Sequence, residues 1–292
     1  MDLVLGIDGG GTSCRAALAA PDGTLLGRAK AGAANITTDL AGARESIVEA
    51  ARLAFLDAGR DPALIARTPA LLGLAGTNVG HASDRLQAIL PFRQSIVESD
   101  AAIALEGALG DHDGAIAIIG TGSIFVSRKA GRLHSVGGWG FIIGDLGGGA
   151  RLGRDLLEAA LLAHDGIRPA TPLTEAVLSR FGGAPGSAVD YAVTAKPRDF
   201  GTFAPLVFEH LDKGDPLAGE LVGRAIGHIE QALDALALGE RDRLCALGGL
   251  AELYAPLLSS RYRAMLRPPL QDALGGAVRM AVRRFGTVER PT

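Results

Sequence analysis

The residues with the clearest chemical potential lie near the start of the chain, in VLGIDGGGTSCRAALAA (residues 4–20). An apolar segment ends at one carboxylate, which precedes three glycines and two hydroxyl residues: Asp8, Gly9, Gly10, Gly11, Thr12 and Ser13. Consecutive small residues leave backbone N–H groups open to phosphate oxygens, and a carboxylate at a strand end can hold a hydrated cation beside them. A plain tight hairpin would use the same residue types, because glycine supplies positive φ and hydroxyls close turns.

This glycine-rich segment matches neither of the two common nucleotide-binding fingerprints. The P-loop spacing G-x-x-x-x-G-K-[ST] is absent, and no lysine follows Thr12 and Ser13. The segment leads into a second apolar strand, whereas the P-loop and the dinucleotide fingerprint both lead into a helix. Any phosphate bound here would therefore be held by a β-hairpin.

A related segment, AIAIIGTGSIFVSRKAGRLHSVGG, begins at Ala115. Like the opening segment, it consists of a strand, a glycine and hydroxyl turn, a strand, a second turn and a strand. Thr121, Gly122 and Ser123 belong to its first turn. The repetition predicts two similar halves. A cleft between such halves would bring two glycine-rich hairpins to face one polyphosphate.

The composition excludes several classes of function. The 292 residues, 48% of them hydrophobic, are enough for two domains with substantial cores. The net charge of −3, with both signs interspersed, offers no basic face for nucleic acid. Cys14 and Cys245 lie far apart without zinc or iron–sulfur spacing, which predicts reduced core thiols. No secretion signal or membrane-spanning run is recognisable, so we expect a cytoplasmic protein that binds neither nucleic acid nor membranes.

Strands and helices alternate along the first part of the chain, which predicts an α/β fold. The predicted strands cover residues 3–7, 15–20, 25–29, 70–74 and 94–98, and the early helices cover 40–58 and 81–89. A helical region, 150–238, is interrupted by Gly182-Gly183 and Pro185-Gly186. A late strand at 244–247 runs into GGLAE, and a last helix at 270–285 ends in basic residues that complement its dipole.

Five motifs occur in a characteristic order: DGGGTS (8–13), SDA (99–101), GTGS (120–123), GGWG with GD (137–140 and 144–145) and LGGLA (247–251). In this order they resemble the N-acetylglucosamine and glucosamine kinases of the actin-like ATPase (sugar kinase) superfamily. That group is related to the activating ATPases of benzoyl-CoA reductase. The resemblance spans nearly the whole chain, and the ordered set is far more specific than any single motif.

The resemblance implies an α/β protein with two ribonuclease-H-like (actin-like ATPase) domains around a hinged cleft. It implies an N-terminal domain at residues 1–111, with the C-terminal helix 270–292 packing back on it. The C-terminal domain would occupy 112–269 and include a helical insertion. The implied activity is an ATP-dependent kinase that uses Mg²⁺, closes on sugar binding and phosphorylates an amino-sugar hydroxyl.

Asp100 is the expected catalytic residue. Phosphoryl transfer to a hydroxyl needs a carboxylate that orients the hydroxyl and accepts its proton. Asp100 follows the apolar segment QSIVES and precedes a helix, so it lies at the carboxyl end of a strand, where open α/β sheets bind ligands. The local sequence alone favours a helix N-cap, for which Ser99 or Asp100 would serve. The family resemblance favours a catalytic and sugar-binding role for Asp100.

By the same resemblance, the two hairpins bind the nucleotide. Thr12 matches a nucleotide-contacting position, and Asp8 lies where such kinases reach magnesium, through water and not as a direct ligand. Gly248 and Gly249 resemble the adenosine site, where bare backbone admits a flat base, although a strand-to-helix turn would use the same glycines. The expected cofactor-binding residues are Asp8, Gly9, Gly10, Gly11, Thr12, Ser13, Thr121, Gly122, Ser123, Gly248 and Gly249.

The resemblance also implies a sugar-binding set: Asn35, Asp100, Gly138, Trp139, Gly140 and Asp145. Asp145 would accept hydrogen bonds from sugar hydroxyls, whereas Asn35 would equally suit a cap or a turn. A lone tryptophan is more often a core residue, but the glycines around Trp139 argue against packing alone. Leu146 stands where many relatives carry glutamate or glutamine, a departure that bears on substrate specificity.

The sugar-facing residues favour N-acetylglucosamine, with glucosamine as the alternative. The ammonium group of free glucosamine calls for an acidic partner, whereas an N-acetyl group needs one amide partner and an apolar wall for its methyl. Trp139, Phe141 and Asn35 suit the N-acetyl group, and by resemblance Asp145 is engaged with hydroxyls. We expect transfer to the 6-hydroxyl, which is the least crowded alcohol and the one that the family uses.

Other functions remain as alternatives. The activating ATPases hold an iron–sulfur cluster on cysteines at a dimer interface, and Cys14 and Cys245 do not provide such a set. The bacterial repressor/kinase family carries a cysteine-rich zinc motif that is absent here. A non-catalytic ATP-dependent sugar sensor would keep the pocket without transfer, and the presence of Asp100 argues against it. The oligomeric state is open, with a homodimer as one alternative.

Overall fold

The structure is a computed structural model of the chain, and it describes residues 3–36, 39–77 and 81–286. The strands are β1 (Val4–Gly9), β2 (Cys14–Ala19), β3 (Leu25–Ala31), β4 (Ala70–Leu74), β5 (Ser95–Ser99), β6 (Gly114–Ile119), β7 (Ser123–Lys129), β8 (Arg132–Gly137) and β9 (Arg243–Leu247). The helices are α1 (Leu40–Asp57), α2 (Ala82–Gln87), α3 (Asp100–Leu109), α4 (Gly149–His164), α5 (Pro172–Ser179), α6 (Pro185–Thr194), α7 (Pro197–Gly201), α8 (Ala204–Asp212), α9 (Pro216–Ala235), α10 (Ala251–Tyr254), α11 (Ser260–Met265) and α12 (Ala273–Phe285). None of the helices in the described ranges is long and apolar enough to cross a membrane.

The chain divides into two compact units. Unit 1 comprises Met1–His112 and Pro268–Thr292, and unit 2 comprises Asp113–Arg267. The C-terminal segment thus belongs to unit 1, where α12 packs against α3 and β1. Residues 287–292 of the predicted C-terminal segment lie outside the described residues.

Unit 1 contains a five-stranded mixed sheet in the order β3-β2-β1-β4-β5. Strands β1, β2 and β3 pair antiparallel, whereas β1, β4 and β5 pair parallel. Because side chains alternate between the faces of a strand, Leu5 and Ile7 pack with α1, and Val4 packs with α3 and α12. Helices therefore cover both faces of this sheet.

Unit 2 repeats the same plan with one strand fewer, in the order β8-β7-β6-β9. An antiparallel meander of β6, β7 and β8 is followed by β9, which pairs parallel to β6. Helices α4, α5, α8 and α9 contribute fully buried apolar residues to the core of this unit, such as Leu156, Val207 and Ile229. The predicted repetition of strand, turn and strand is confirmed.

The helical region of unit 2 is more divided than the sequence analysis predicted. Helices α4 to α9 occupy residues 149–235, and each helix from α5 to α9 has a proline in its first two positions. Proline suits these positions because its missing N–H would have no intrahelical partner there. The prediction used the breaks at Gly182-Gly183 and Pro185-Gly186 and missed the other helix starts at proline.

Helix α12 begins three residues later than predicted, at Ala273 instead of 270. Asp272 is its N-cap, and the Asp272 Oδ1 atom accepts a hydrogen bond from the backbone N of Gly275 at 2.9 Å. The carboxylate satisfies a helical N–H that has no intrahelical acceptor. Residues 270 and 271 instead pair with the end of α3, through N–H groups that donate to Ala108 and Gly107.

Glycines allow α12 to approach the rest of unit 1 closely. A Cβ on Gly276 would overlap the carbonyl oxygen of Ile103 and lie 2.6 Å from the backbone N of Gly107. A Cβ on Gly6 would lie 2.5 Å from the backbone N of Val278. Backbone atoms on both sides leave no room for a methyl group, so these glycines are required by packing.

We expect Gly276→Ala to destabilise the protein by about 1–3 kcal/mol, because the new methyl group forces α12 away from α3. Gly223→Ala in α9 is the matched control, since no atom lies within 4 Å of its Cβ position. The control should be neutral or stabilising by up to about 1 kcal/mol, through helix propensity. Thermal unfolding of both variants measures the difference, and equal melting temperatures would contradict the close packing of α12.

Candidate functional site residues in the two units

The parallel strands of unit 1 bring candidate residues to one edge of the sheet. Gly9 at the end of β1 pairs with Leu74 in β4, and Leu74 pairs with Ser99 in β5. The first turn (residues 10–13) follows Gly9, and Asp100 follows Ser99. The carboxyl ends of parallel strands thus place the first turn and Asp100 at the same edge, as is typical of ligand sites in α/β sheets.

The first turn is short and leaves backbone open. The backbone N of Gly10 donates to the carbonyl O of Ser13 at 2.9 Å, which closes the hairpin, while Gly11 and Thr12 are exposed. Gly11 does not have positive φ, and a Cβ there would meet nothing within 4 Å. The fold therefore gives no conformational or packing reason for glycine at Gly11, whereas a ligand that approaches the backbone would.

Asp8 is held by an arginine that the sequence analysis did not consider. Arg15 lies directly opposite Asp8 in the β1–β2 hairpin. Its Nε and Nη2 atoms donate to Asp8 Oδ2 at 3.1 and 2.5 Å, and its Nη1 atom donates to Asp272 Oδ2 at 2.7 Å. One guanidinium therefore joins the carboxylate beside the first turn to the N-cap of α12.

The surroundings of Asp8 fit an indirect role toward magnesium. Within the described residues, no group of three or more histidine, cysteine or carboxylate side chains is arranged to hold a metal ion. Mg²⁺ that arrives with a nucleotide commonly uses phosphate oxygens, several waters and one or two carboxylates. Asp8 offers one such carboxylate, with Oδ2 already paired to Arg15. A contact through water, as expected from the sequence, stays a prediction.

Asp100 is the first residue of α3 and does not serve as its cap. Ser99 is the N-cap, and its Oγ atom accepts from the backbone N of Ala102 at 3.1 Å. Asp100 Oδ1 accepts from the N–H of Ala101 at 2.8 Å, and the residue has exposed surface although neighbouring groups crowd its carboxyl. Desolvation by the surrounding protein, with a smaller contribution from the charge of Asp8, raises the pKa of Asp100. A surface carboxylate with a raised pKa suits a general base.

Asn35 lies close in sequence to α1 but does not cap it. The N-cap is Asp39, whose Oδ1 accepts from the N–H of Gly42 at 2.9 Å. Asn35 is partly buried, and its neighbour Ala34 donates a backbone hydrogen bond to the carbonyl of Gly10 at 2.9 Å. The segment that carries Asn35 is thus tied to the first turn.

In unit 2, the second turn (residues 120–122) is tied to the start of α4. The N–H groups of Gly149 and Ala150 donate to the carbonyls of Gly120 and Thr121 at 2.8 and 2.9 Å. Thr121 is exposed, and a Cβ on Gly120 would meet nothing within 4 Å. The second turn therefore resembles the first, because a glycine with open space beside it is followed by an exposed hydroxyl residue.

Gly248 and Gly249 lie at the carboxyl end of β9 and differ in what the fold requires. Gly248 has a φ of +97°, and a Cβ on it would lie 2.5 Å from the carbonyl O of Ile119. Gly249 has no such constraint, and a Cβ there would meet nothing within 4 Å. The strand-to-helix turn therefore accounts for Gly248, while Gly249 is exposed backbone that a flat base could approach.

Ser123 points into the protein. It is 5% exposed, and its Oγ atom donates to the carbonyl O of Leu146 at 2.8 Å. The hydroxyl is thus engaged within unit 2, so a contact of Ser123 with phosphate would have to use another group. The role that the sequence analysis gave to Ser123 stays a prediction.

The Trp139 loop (residues 138–147) carries apolar side chains with little cover. Trp139, Ile142 and Ile143 are 79%, 82% and 84% exposed. Glycines with positive φ in or beside the loop are Gly137, Gly138, Gly140 and Gly147. Trp139 is therefore not a core residue, which was the alternative for the single tryptophan. An indole combines a large apolar surface with one N–H donor, so the exposed Trp139 suits a ligand that offers both apolar and polar groups.

Asp145 is bonded to the backbone of its own unit. Its φ is +54°, and its Oδ1 accepts from the N–H of Gly140 at 3.2 Å. Burial raises the pKa of Asp145, opposed by backbone hydrogen bonds from Gly140 and Ser123 and by the charge of Arg151. The carboxylate therefore orders the Trp139 loop in addition to any contact with a sugar.

Comparison with known proteins places these residues in a family. Residues 5–276 match the BadF/BadG/BcrA/BcrD ATPase family. The chain belongs to this family. The glucosamine kinase of Vibrio cholerae is 39% identical over 282 residues, which is 96% of each chain. The resemblance found in the sequence is thereby confirmed.

Two solved structures share the fold of this chain. A Chromobacterium violaceum protein assigned as an N-acetylglucosamine kinase superposes with a TM-score of 0.88 at 30% identity, over 97% of this chain and 99% of the other. A ROK family glucokinase from Streptomyces griseus, solved with glucose and AMPPNP, gives a TM-score of 0.55 at 18% identity, over 96% and 98%. The second likeness concerns the fold alone. The predicted actin-like ATPase fold with two domains is confirmed.

Hairpin register could have revealed Arg15 from the sequence. Once the first turn is assigned to residues 10–13, Gly9 faces Cys14 and Asp8 faces Arg15. Opposite charges directly across an antiparallel pair are expected to interact. The third partner, Asp272, lies 257 residues away along the chain, so no local pattern could have indicated it.

We expect Arg15→Met to destabilise the protein by about 1–2 kcal/mol. This cost lies between the costs of breaking an exposed and a buried ion pair, because Arg15 is partly exposed. Asp8, only 18% exposed, would lose its charged partner. Arg52→Met, which breaks the exposed pair with Glu49, is the control and should leave the melting temperature unchanged. Equal melting temperatures of the two variants would show that the ion pair of Asp8 and Arg15 does not stabilise the protein.

Proposed function

We propose that this member of the BadF/BadG/BcrA/BcrD ATPase family is an ATP-dependent kinase that phosphorylates the 6-hydroxyl of an amino sugar, with N-acetylglucosamine as the first candidate. The relatives described above, a glucosamine kinase and a protein assigned as an N-acetylglucosamine kinase, support the amino-sugar kinase activity. The observation that carries the mechanism is Asp100, an open carboxylate with a raised pKa at the sheet edge beside the first turn. The use of ATP makes the cytoplasm the proposed location.

The two turns serve the nucleotide phosphates. Backbone N–H groups that need no reorganisation stabilise developing negative charge, and the hydroxyls of Thr12 and Thr121 add directional donors. Mg²⁺ bound with the nucleotide would neutralise phosphate charge, with Asp8 contacting it through water. Gly249 offers exposed backbone to the adenine ring. Thr12, Thr121 and Gly249 are exposed, whereas Asp8 is partly buried and has one oxygen paired with Arg15.

Asp100 acts on the nucleophile. Its carboxylate accepts a hydrogen bond from the sugar 6-hydroxyl, orients the oxygen toward the transferred phosphoryl group and takes the proton as the new ester bond forms. One oxygen, Oδ1, already accepts the N–H of Ala101, which fixes the side chain. A raised pKa brings Asp100 closer to the working pH and makes it a better proton acceptor.

The Trp139 loop supports N-acetylglucosamine as the first candidate. Its acidic residue, Asp145, is bonded to backbone amides, and its most exposed side chains are Trp139, Ile142 and Ile143. Apolar surface suits the acetyl methyl group better than it suits an ammonium group. Glucosamine is the second candidate, favoured by the name of the Vibrio cholerae relative.

The iron–sulfur alternative is poorly supported by the cysteines. Neither Cys14 nor Cys245 forms a disulfide; both are fully buried, and they belong to different units. Burial, with the charge of Asp8, raises the pKa of the Cys14 thiol to about 12, which disfavours the thiolate that a metal centre needs. A sensor without catalysis remains the alternative to a kinase and differs from it in turnover.

We expect Asp100→Asn to lower kcat by about 10²–10⁴-fold while the dissociation constants of sugar and ATP stay within about tenfold, because the amide can hold the hydroxyl without accepting its proton. The melting temperature should stay the same or rise, since an aspartate with a raised pKa destabilises the folded state above its unfolded pKa. Calorimetric binding and a coupled ADP assay test both parts. A kcat close to that of the wild type would remove Asp100 from the mechanism.

The pH dependence of kcat/KM should reflect the ionisation of Asp100. Because a base acts as the carboxylate, kcat/KM falls as the pH drops through the folded pKa. Because the pKa of Asp100 is raised, this fall in kcat/KM should occur at a pH above the usual aspartate pKa of about 3.9. Measurement of kcat/KM across the acidic range, with the enzyme checked for folding at each pH, tests this. An acidic limb at or below the ordinary aspartate value would contradict the assignment.

A substrate panel tests the proposed function itself. Glucosamine, N-acetylglucosamine, N-acetylmannosamine and glucose are compared by kcat/KM with ATP, and sugar-dependent ADP release identifies a kinase. We expect the highest value for N-acetylglucosamine. A clear preference for glucosamine would select the second candidate, binding without ADP release would indicate a sensor, and failure of every amino sugar would overturn the proposal.

A further inference from the structure

The second turn and the Trp139 loop are in direct contact within unit 2. Ser123, which follows the turn, donates its hydroxyl to the carbonyl of Leu146 at 2.8 Å. Directly after the loop, a Cβ on Gly148 would lie 2.9 Å from the Cα and carbonyl C of Gly122. The base of the loop therefore lies against the turn without intervening side chains.

The Asp145 carboxylate occupies the space beside Gly122. A Cβ on Gly122 would overlap Asp145 Oδ2 and lie 2.9 Å from Asp145 Cγ. The carboxylate has little freedom to withdraw, since the N–H groups of Gly140 and Ser123 bond to it and its backbone carbonyl accepts from Gly148 at 2.9 Å. The volume that a side chain at Gly122 would occupy is thus filled by Asp145.

The backbone of the turn does not itself require this glycine. Gly122 has no positive φ, so alanine could adopt its conformation without strain. Gly120, two residues earlier, also lacks positive φ, and its Cβ position has nothing within 4 Å. A Cβ at Gly122 would therefore meet the Asp145 carboxylate, whereas a Cβ at Gly120 would enter open space.

We propose that Gly122 and Ser123 are positioning residues for the sugar, which act by fixing Asp145 and the base of the Trp139 loop. This inference rests on the proposed function, in which the loop binds the sugar and the turn binds phosphate. The phosphate-binding turn is thus a determinant of sugar affinity. Any shift of the turn that accompanies nucleotide binding is transmitted to the sugar-binding loop, and the coupling is reciprocal.

Only the base of the loop is fixed in this way. The contacts to the turn involve Asp145, Leu146 and the adjacent Gly148, whereas the side chains of Trp139, Ile142 and Ile143, earlier in the loop, are more than three-quarters exposed. These exposed side chains can therefore adjust to a sugar while the carboxylate stays in place. A binding group held by a rigid support is sensitive to small displacements, which can cost about 10²-fold per ångström.

The decisive comparison is Gly122→Ala against Gly120→Ala. The Cβ at Gly122 displaces Asp145, so we expect the KM for the sugar to rise about tenfold or more. The Cβ at Gly120 enters open space, so the sugar KM should stay within about threefold even if the KM for ATP rises. Equal effects of the two variants on the sugar KM, or an effect of Gly122→Ala on ATP alone, would overturn the proposal.

Two further variants keep the test valid if Gly122→Ala folds poorly. Ser123→Ala removes only the hydroxyl that bonds to Leu146, and it should raise the sugar KM more than the KM for ATP. In an Asp145→Ala background the clash no longer exists, so adding Gly122→Ala should cause no further loss of sugar affinity. Additive effects in this double-mutant cycle would contradict a path through Asp145.

The fluorescence of the single tryptophan separates this inference from the proposed function. Trp139 directly precedes Gly140, whose N–H bonds to the Asp145 carboxylate, so its anisotropy and its quenching by acrylamide report on the position of that carboxylate without any sugar. We expect Gly122→Ala to change both properties and Gly120→Ala to change neither. If no amino sugar is phosphorylated but this difference is found, the proposed function fails and the contact stands. If sugars are phosphorylated and the two variants give the same fluorescence, the contact fails alone.

Discussion

Parallel pairing next to an antiparallel hairpin is the constraint on which the candidate site residues depend. In unit 1 the register joins the ends of β1, β4 and β5, which places the first turn and Asp100 at one edge. In unit 2 the pairing of β6 with β9 does the same for the second turn and Gly248. A hairpin alone would leave each turn isolated, whereas the parallel strand brings a second segment beside it.

Glycine serves two different purposes in this chain, and the structure separates them. Gly276 and Gly248 are required by packing or by positive φ, so the fold of this chain accounts for them. Gly11, Gly120 and Gly249 face open space without positive φ, so neither packing nor backbone conformation accounts for them, and a ligand that approaches the backbone would. The second group lies on the turns and strand ends that we assign to the nucleotide.

Much of the fold was predictable because its signals are local. Apolar segments interrupted by glycine and hydroxyl residues predicted both hairpins, and the strand before Asp100 predicted its place at a sheet edge. The bond from Ser123 to Leu146 and the pair of Arg15 with Asp272 depend on residues brought together by the complete fold, so sequence patterns did not indicate them. The start of α12 was misplaced because Asp272 caps the helix, a choice that depends on backbone geometry.

The position of the transferred phosphate tests the central claim most directly. N-acetylglucosamine and glucosamine labelled with ¹³C at C6 are incubated with ATP, Mg²⁺ and the enzyme, and the products are observed by ¹³C and ³¹P NMR. The account predicts a phosphate monoester whose phosphorus couples to the labelled C6, formed together with ADP. A monoester at another carbon, or release of inorganic phosphate without any sugar phosphate, would contradict it.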